Sequence, residues 1–281
     1  MKLIFFHRKL YKNQIPDICE SNTKKKPMKT LLTICIAMVT CGTFAQLKPV
    51  VYNDDSQKLN GFSIAPARNQ GDKKGVLILP AWKGIDAHAK ESAQKLADLG
   101  YYAFIADIYG EGNYPKDAAE AGKQAGYYKQ NYKAYQKRIS LALAQLVKAG
   151  ADANNIVVMG YCFGGTGALE AARAGMPVKG VVSFHGGLKK EATRPNNPLS
   201  AKVLVLHGAD DPNVPADEVA AFQNEMREAK ADWQMVYYAN AVHAFTDPYA
   251  GNDNSKGAAY NEKADKRSWE SLLDFLKELL K

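Results

Sequence analysis

The stretch Asn155-Ile156-Val157-Val158-Met159-Gly160-Tyr161-Cys162-Phe163-Gly164-Gly165 runs from an apolar segment straight into a glycine-rich bend. Residues 155–160 have the length and branched apolar content of a buried strand, and a helix is expected from about Gly165 to Ala174. A cysteine on so sharp a strand-to-helix bend is held at the carboxyl end of a sheet and points into the crevice there. Glycines belong beside it because side chains at the flanking positions would collide. The helix that follows adds a favourable dipole and free backbone N–H groups beneath the sulfur. A buried core thiol beside a glycine turn gives the same string, but the strand–turn–helix setting favours a nucleophile.

Working outward, strands alternate with helices. Residues 61–65 read as a short edge strand, 75–80 as a buried strand and 101–106 as the next. The spacing of Ala89, Ala93, Leu96 and Ala97 predicts a helix over 86–99 that stops at Gly100. A long helical stretch over 116–149 is expected to break near Gly126. Strands follow at 178–184, 201–207 and 233–238, with helices at 215–230 and 256–280. Strands separated by helices of this length imply an α/β architecture, a mostly parallel central sheet covered by helices on both faces. No repeat, linker or composition break interrupts residues 46–281, which read as one domain.

The chain has 281 residues, 46% hydrophobic and 23% charged, with a net charge of +8. That composition excludes a disordered or disulfide-scaffold protein. Residues 1–45 hold eight of the 37 basic side chains and two of the 29 acidic ones, so the net charge beyond them is +2. The basic character therefore belongs to the N-terminus, which removes the main support for a nucleic-acid partner. That N-terminus has the form of a secretory signal peptide: a basic stretch from Lys24 to Lys29, an apolar run from Leu31 to Val39, and small residues around Ala45. Met28 is the expected biological start and Gln46 the expected mature terminus, so the protein is expected to be secreted or periplasmic. The apolar run is too short for a stable membrane span. Cleavage removes Cys19, Cys35 and Cys41 and leaves Cys162 alone.

An acid and a base follow the cysteine. Asp210-Asp211-Pro212 lies in a loop after a buried strand, at the same end of the sheet as Cys162. Asp211 is the chosen orienting acid and Asp210 the alternative. His243, in the loop after the strand ending near Tyr238, is the expected base. Nucleophile, acid and histidine on successive loops is the chain order of the α/β-hydrolase fold. His88 is expected on an exposed helix, His207 at a strand end, and His185 near the pocket. His243 would take the proton of Cys162, Asp211 would hold the imidazole tautomer, and the thiolate would attack a carbonyl. The backbone N–H groups of Phe163 and Trp82 are the expected oxyanion donors.

The set Gly160-Tyr161-Cys162-Phe163-Gly164-Gly165, Gly208–Pro215 with Asp211, and His243-Ala244-Phe245 resembles the dienelactone hydrolase family. So do Gly100-Tyr101, Asp107-Ile108-Tyr109 and residues 260–275; the likeness covers about residues 60–281. The resemblance implies a cofactor-free hydrolase of small esters or lactones with a Cys-His-Asp triad. Two positions depart from the family pattern. Ala81 stands where the family's thiol-activating glutamate falls, and Asp247 where its substrate-carboxylate arginine falls. A neutral or cationic substrate is therefore expected in place of a carboxylated lactone.

Tyr127, Tyr128, Tyr132 and Tyr135, with Lys123, Lys129 and Arg138, punctuate the stretch 116–149. Helical spacing makes the tyrosines a core face, with a pocket role open for one or two. A fold that retained binding without turnover, or a redox role for the lone thiol, are the alternatives to an exported hydrolase. The sequence carries no His-x-x-x-His or Cys-x-x-Cys spacing, so no metal site is expected.

Overall fold

The computed structural model describes residues 45–67 and 71–281. The expected leader, apart from Ala45, lies outside the described residues. Eight strands form one sheet: β1 (Lys48–Asp54), β2 (Gln57–Ile64), β3 (Gly75–Leu79), β4 (Tyr102–Ile105), β5 (Ile156–Tyr161), β6 (Gly180–Phe184), β7 (Lys202–Gly208) and β8 (Trp233–Tyr238). Their spatial order is β1-β2-β4-β3-β5-β6-β7-β8. β1, β2 and β4 pair antiparallel, and all the other pairings are parallel.

Among the described residues six α-helices accompany them: α1 (Ala87–Asp98), α2 (Ala118–Gln130), α3 (Tyr132–Lys148), α4 (Phe163–Arg173), α5 (Ala216–Glu228) and α6 (Glu262–Leu279). The alternation of β3 shows why the sheet needs cover on both sides. Leu77 and Leu79 point into a core shared with Tyr135 and Ile139 of α3, Leu169 of α4 and Phe222 of α5. Val76 and Ile78 point the other way, toward Ala93 and Leu96 of α1 and Leu272 and Phe275 of α6. Successive strand residues face opposite sides, so a sheet buried twice reads as a continuous apolar run. Each fully buried aliphatic side chain contributes about 1.5–3 kcal/mol. Among the described residues no helix is long and apolar enough to cross a membrane.

Several boundaries differ from the sequence expectation. The strand expected at 61–65 is the longer β2, and it is not the edge: β1, rich in exposed and charged residues, lies outside it. Its weak apolar signal hid it. The helical break comes at Asn131, not Gly126, because the Asn131 backbone (φ −101°, ψ 59°) leaves the helix whereas Gly126 stays in register. The helix after the bend starts at Phe163 rather than Gly165. The last helix starts at Glu262, capped by Asn261, after a short 3₁₀ turn over Asn254–Lys256.

The topology also places the crevice. From β3 the chain crosses to β4 on one side, and β5 then returns to pair with β3 on the other. That reversal opens a gap beyond the carboxyl ends of β3 and β5, where ligands settle in open α/β sheets. Trp82 follows β3 and Cys162 follows β5, so both stand at its rim.

Candidate active site

A cleft of about 680 Å³ opens there, and its walls include Trp82, Cys162, Phe163, His185 and His243. Cys162 sits at its floor on a bend of unusual backbone, φ 55° and ψ −113°. A non-glycine residue there is strained by about 1–3 kcal/mol, and the surroundings must enforce it. They do so by close approach. A Cβ on Gly160 would strike the Gly164 carbonyl, and one on Gly164 would strike the Leu79 carbonyl. Glycine at both positions lets the bend press directly against the end of β3. The Cys162 N–H donates to the Phe184 carbonyl at 3.0 Å, which continues the sheet pairing up to the sulfur-bearing residue.

Asp211 and His243 converge on that sulfur. His243 Nε2 lies 3.0 Å from Cys162 Sγ, and His243 Nδ1 lies 2.9 Å from Asp211 Oδ2. The Asp211 side chain is fully buried, and its Oδ1 accepts from the Asn213 N–H at 2.9 Å. Asp210 is exposed and takes no part in this chain of contacts. His243 is held by backbone pairing on both sides: its N–H donates to the Gly257 carbonyl and its carbonyl accepts from the Ala259 N–H. Three residues from three separate loops therefore form one line, acid to imidazole to thiol.

The electrostatics follow from that line. Burial alone pushes the Cys162 thiol up, but its hydrogen bond to His243, the His243 charge, Lys129 and the Phe163 N–H together bring it below its ordinary value. Burial pulls the His243 imidazole down, yet hydrogen bonds to Asp211 and Cys162 and their charges lift it to about 10. The opposite directions favour a thiolate paired with an imidazolium. Lys129 is a contributor the sequence reading did not single out for this purpose. Its Nζ lies beside Gly187 at the cleft wall.

Further residues hold the frame. Asp107, buried after β4, accepts from the N–H groups of Tyr109, Gly110 and Asn60 and from the Tyr114 hydroxyl. The Tyr109 ring stacks on Phe163, and its hydroxyl donates to the Trp82 carbonyl. The Trp82 N–H itself is left without a backbone acceptor among the described residues. His185 is buried, with Nε2 2.8 Å from Thr246 Oγ1, and its ring meets that of His243 edge-on at 5.2 Å. Burial and the His243 charge hold it well below the ordinary histidine range, so it stays neutral. His88, expected on an exposed helix, is buried against Tyr161 at the cleft wall. Its helix packs its face onto the sheet.

The tyrosines of α2 and α3 divide. Tyr128 and Tyr135 are buried in the core, and the Tyr135 hydroxyl donates to the Phe163 carbonyl at 3.0 Å. Tyr127 is exposed, and Tyr132 stacks under Arg194. None of the four lines the cleft that holds Cys162; Gly122, Ala125, Gly126 and Lys129 of α2 do so instead.

The dienelactone hydrolase family model matches residues 59–280. The chain belongs to the dienelactone hydrolase family. It is accordingly a hydrolase acting on esters or lactones. Among solved structures, a dienelactone hydrolase-like promiscuous phosphotriesterase from metagenomic libraries is similar at 36% identity and a TM-score of 0.79, over 84% of this chain and 99% of that one. A Bradyrhizobium sp protein provisionally named 2-oxo-3-(5-oxofuran-2-ylidene)propanoate lactonase is 28% identical over 218 residues, which is 74% of this chain and 84% of that protein. A Yersinia pestis protein provisionally named carboxymethylenebutenolidase is 24% identical over 228 residues, 78% of this chain and 83% of that protein.

The two positions expected to depart from the family pattern both fall in the cleft wall. Ala81 and Asp247 each line it. Asp247 also caps a 3₁₀ turn over Pro248–Ala250, where its Oδ1 accepts from the Tyr249 N–H. Its charge, with that of Asp86, reaches His88 and partly offsets the effect of burial on that imidazole. Among the described residues no group of three or more His, Cys, Asp or Glu side chains is arranged to hold a metal ion.

Proposed function

We propose that the protein is an exported hydrolase that cleaves small esters or lactones through Cys162, His243 and Asp211, with an acyl-cysteine intermediate. The observation that carries this reading is the line of contacts in which His243 bridges Asp211 Oδ2 and Cys162 Sγ.

The thiolate attacks the ester carbonyl carbon, and the C=O electron pair moves onto oxygen. The Phe163 N–H, at the first turn of α4, and the Trp82 N–H stabilise that oxyanion. As the carbonyl re-forms, the C–O bond to the alcohol breaks, and the departing oxygen takes the proton from His243 Nε2. Neutral His243 then removes a proton from water, whose oxygen attacks the thioester. Collapse of the second tetrahedral species breaks the C–S bond, releases the carboxylic acid and restores the thiolate–imidazolium pair. Asp211 stays ionised throughout and fixes the proton-bearing nitrogen. No redox step or cofactor enters.

With Ala81 in place of a carboxylate, His243 is the principal partner that keeps the thiol ionised. With Asp247 at the mouth, a carboxylated substrate meets a like charge. The preferred substrates are therefore neutral or cationic. Kinetics on matched neutral and carboxylated lactones test this preference, and faster turnover of the acid overturns it.

Stopped-flow hydrolysis of p-nitrophenyl acetate by residues 46–281, wild type beside Cys162→Ala, tests the chemistry. A p-nitrophenol burst with a mass increment on Cys162, absent from the variant, is the expected result. Equal slow release in both, with no adduct, sinks the triad. Export is tested by intact mass of the protein expressed with residues 28–281; the expected product begins at Gln46, and retention of the leader overturns it.

A further inference from the structure

A second compartment of about 530 Å³ lies beside the catalytic cleft. Lys129, Gly187 and Asn213 line both, so the two meet there, whereas Cys162 and His243 line the first alone. The walls of the second contain no hydrocarbon side chain. Gly187 aside, every residue in them carries a hydroxyl, an amide, a carboxylate or a cation. Several of these groups are committed to one another. Glu170 is held by Arg173 and Arg194, the Lys190 ammonium by the Arg194 and Pro195 carbonyls, and the Thr166 hydroxyl donates to the Gly187 carbonyl. Others are free. Among the described residues Lys129 Nζ and the Asn213 side-chain amide have no hydrogen-bond or ion-pair partner. Glu218 is fixed through one oxygen only: Oε1 accepts the N–H groups of Leu188 and Lys189 at 2.6 and 3.0 Å.

Polar atoms from three helices face one bare spot in this wall. A Cβ on Gly187 would have as its nearest neighbours Thr166 Oγ1 of α4 at 3.4 Å, Glu218 Oε1 of α5 at 3.8 Å and Lys129 Nζ of α2 at 3.9 Å. An ammonium can only donate and a carboxylate can only accept, and a hydroxyl group satisfies both. The mixture of signs also selects against net charge. A carboxylated ligand meets Glu191 and Glu218, and a cationic one meets Lys129 and Lys189. A neutral ligand with several hydroxyls fits such walls. Position assigns it to the alcohol half of an ester. The departing oxygen takes its proton from His243, which Asp211 holds, and Asp211 Oδ1 binds the N–H of Asn213 at the opening between the compartments.

We propose that this second compartment is a subsite for a polyol leaving alcohol, whose hydroxyl groups are bound by Lys129, Asn213 and Glu218. The proposal deepens the ester-hydrolase reading and rests on it for turnover, but polyol binding is tested without turnover. Glycerol 1-acetate and propyl acetate differ only by two hydroxyl groups, so the ratio of their kcat/KM values reads the subsite. Binding is read separately from the backbone N–H signal of Gly187 during titration with glycerol, with 1-propanol as the control.

In the wild type the ratio is expected to favour the glycerol ester by about tenfold or more, and glycerol is expected to shift the Gly187 signal saturably. In Glu218→Gln and in Lys129→Gln the ratio should fall by roughly fivefold or more. Lys129→Gln also alters the thiol, but that effect is common to both esters and cancels in the ratio. If Glu218→Gln loosens the turn at Leu188 and Lys189 and melts early, Lys129→Gln carries the comparison. A wild-type ratio near one, a ratio unmoved by both substitutions, or a Gly187 signal that glycerol moves no more than 1-propanol overturns the subsite. Glycerol binding with neither ester cleaved keeps the polyol site and sinks the hydrolase reading. Cleavage of both esters at equal rates without glycerol binding does the reverse.

Discussion

The Tyr109 hydroxyl donates a 2.6 Å hydrogen bond to the carbonyl of Trp82. Asp107 fixes Tyr109 from below by accepting its N–H and that of Gly110. The loop after β3, which carries one proposed oxyanion donor, is thereby tied to the loop after β4. Tyr109→Phe removes the tie and leaves the stacking on Phe163. We expect kcat for p-nitrophenyl acetate to fall about tenfold, less than the loss of a donor itself, with KM little changed. Tyr109 is a positioning residue in this account. A change confined to KM, with kcat intact, contradicts it.

The thiol should react as a thiolate below the pH range of an ordinary cysteine. In the folded protein its titration is shifted down, so alkylation by iodoacetamide should reach half its maximal rate below pH 9. His243→Ala removes the hydrogen bond and the positive charge while burial remains, and burial favours the neutral thiol. The midpoint should therefore move up. Lys129→Gln removes a smaller positive contribution and should move it up by less. The alkylation rate against pH for the three proteins is the measurement.

Asp211→Asn keeps the size of the side chain and removes its charge. The His243 Nδ1–H then faces an amide that can present either oxygen or NH₂, and the imidazolium loses its counter-charge. A fall in kcat of about a thousandfold or more is expected, as when the acid of such a chain is neutralised. Asp210→Asn, by contrast, should leave kcat within about twofold, the usual range for an exposed substitution. Steady-state kinetics of the pair separate the two neighbouring carboxylates.

Gly164→Ala should damage the fold as well as the site. The added methyl group meets the Leu79 carbonyl, which is backbone and cannot swing aside. A loss of about 1–3 kcal/mol is expected from overpacking of this kind, measured by urea unfolding. An unchanged midpoint would show that β3 can withdraw from the bend without penalty.

A buried ion network supports α4 from behind. Arg173 forms a double contact with Glu225 through Nε and Nη2, each 2.8 Å, and also reaches Glu170, which Arg194 holds as well. Arg173→Leu leaves Glu225 buried without its cation. Breaking such a pair from one side costs about 3–5 kcal/mol. Urea unfolding should show that loss, whereas Arg194→Leu, which leaves Glu170 its Arg173 partner, should lose less.

The core strands were legible because each is buried on both faces. The apolar runs at β3, β5, β6 and β7 can be read without any knowledge of their neighbours. β1 was not legible: on the sheet's edge it needs no apolar run, and four of its seven residues are exposed. The break falls at Asn131 and not at Gly126: glycine is the poorer helix former by propensity, but Gly126 stays helical and the Asn131 backbone leaves the helix. The residue types and chain order of Cys162, Asp211 and His243 already point to one another in the sequence. Asp211 is the acid expected from sequence, with Asp210 the alternative, and burial separates the two.

The sequence by itself determined the parallel sheet, the bend at Cys162 and the order of the three chemical groups, since local periodicity and steric need write those features directly into residue types. Only the tertiary structure decided that Asp211 is buried against His243 while Asp210 is exposed, that the Lys129 charge acts on the thiol, that Tyr109 ties down Trp82, and that α2 shows the cleft glycine instead of tyrosine. Each of these depends on side chains from loops far apart in the chain. Their meeting is fixed by the crossing of β3, β4 and β5, a property of the whole sheet that no local window of sequence contains.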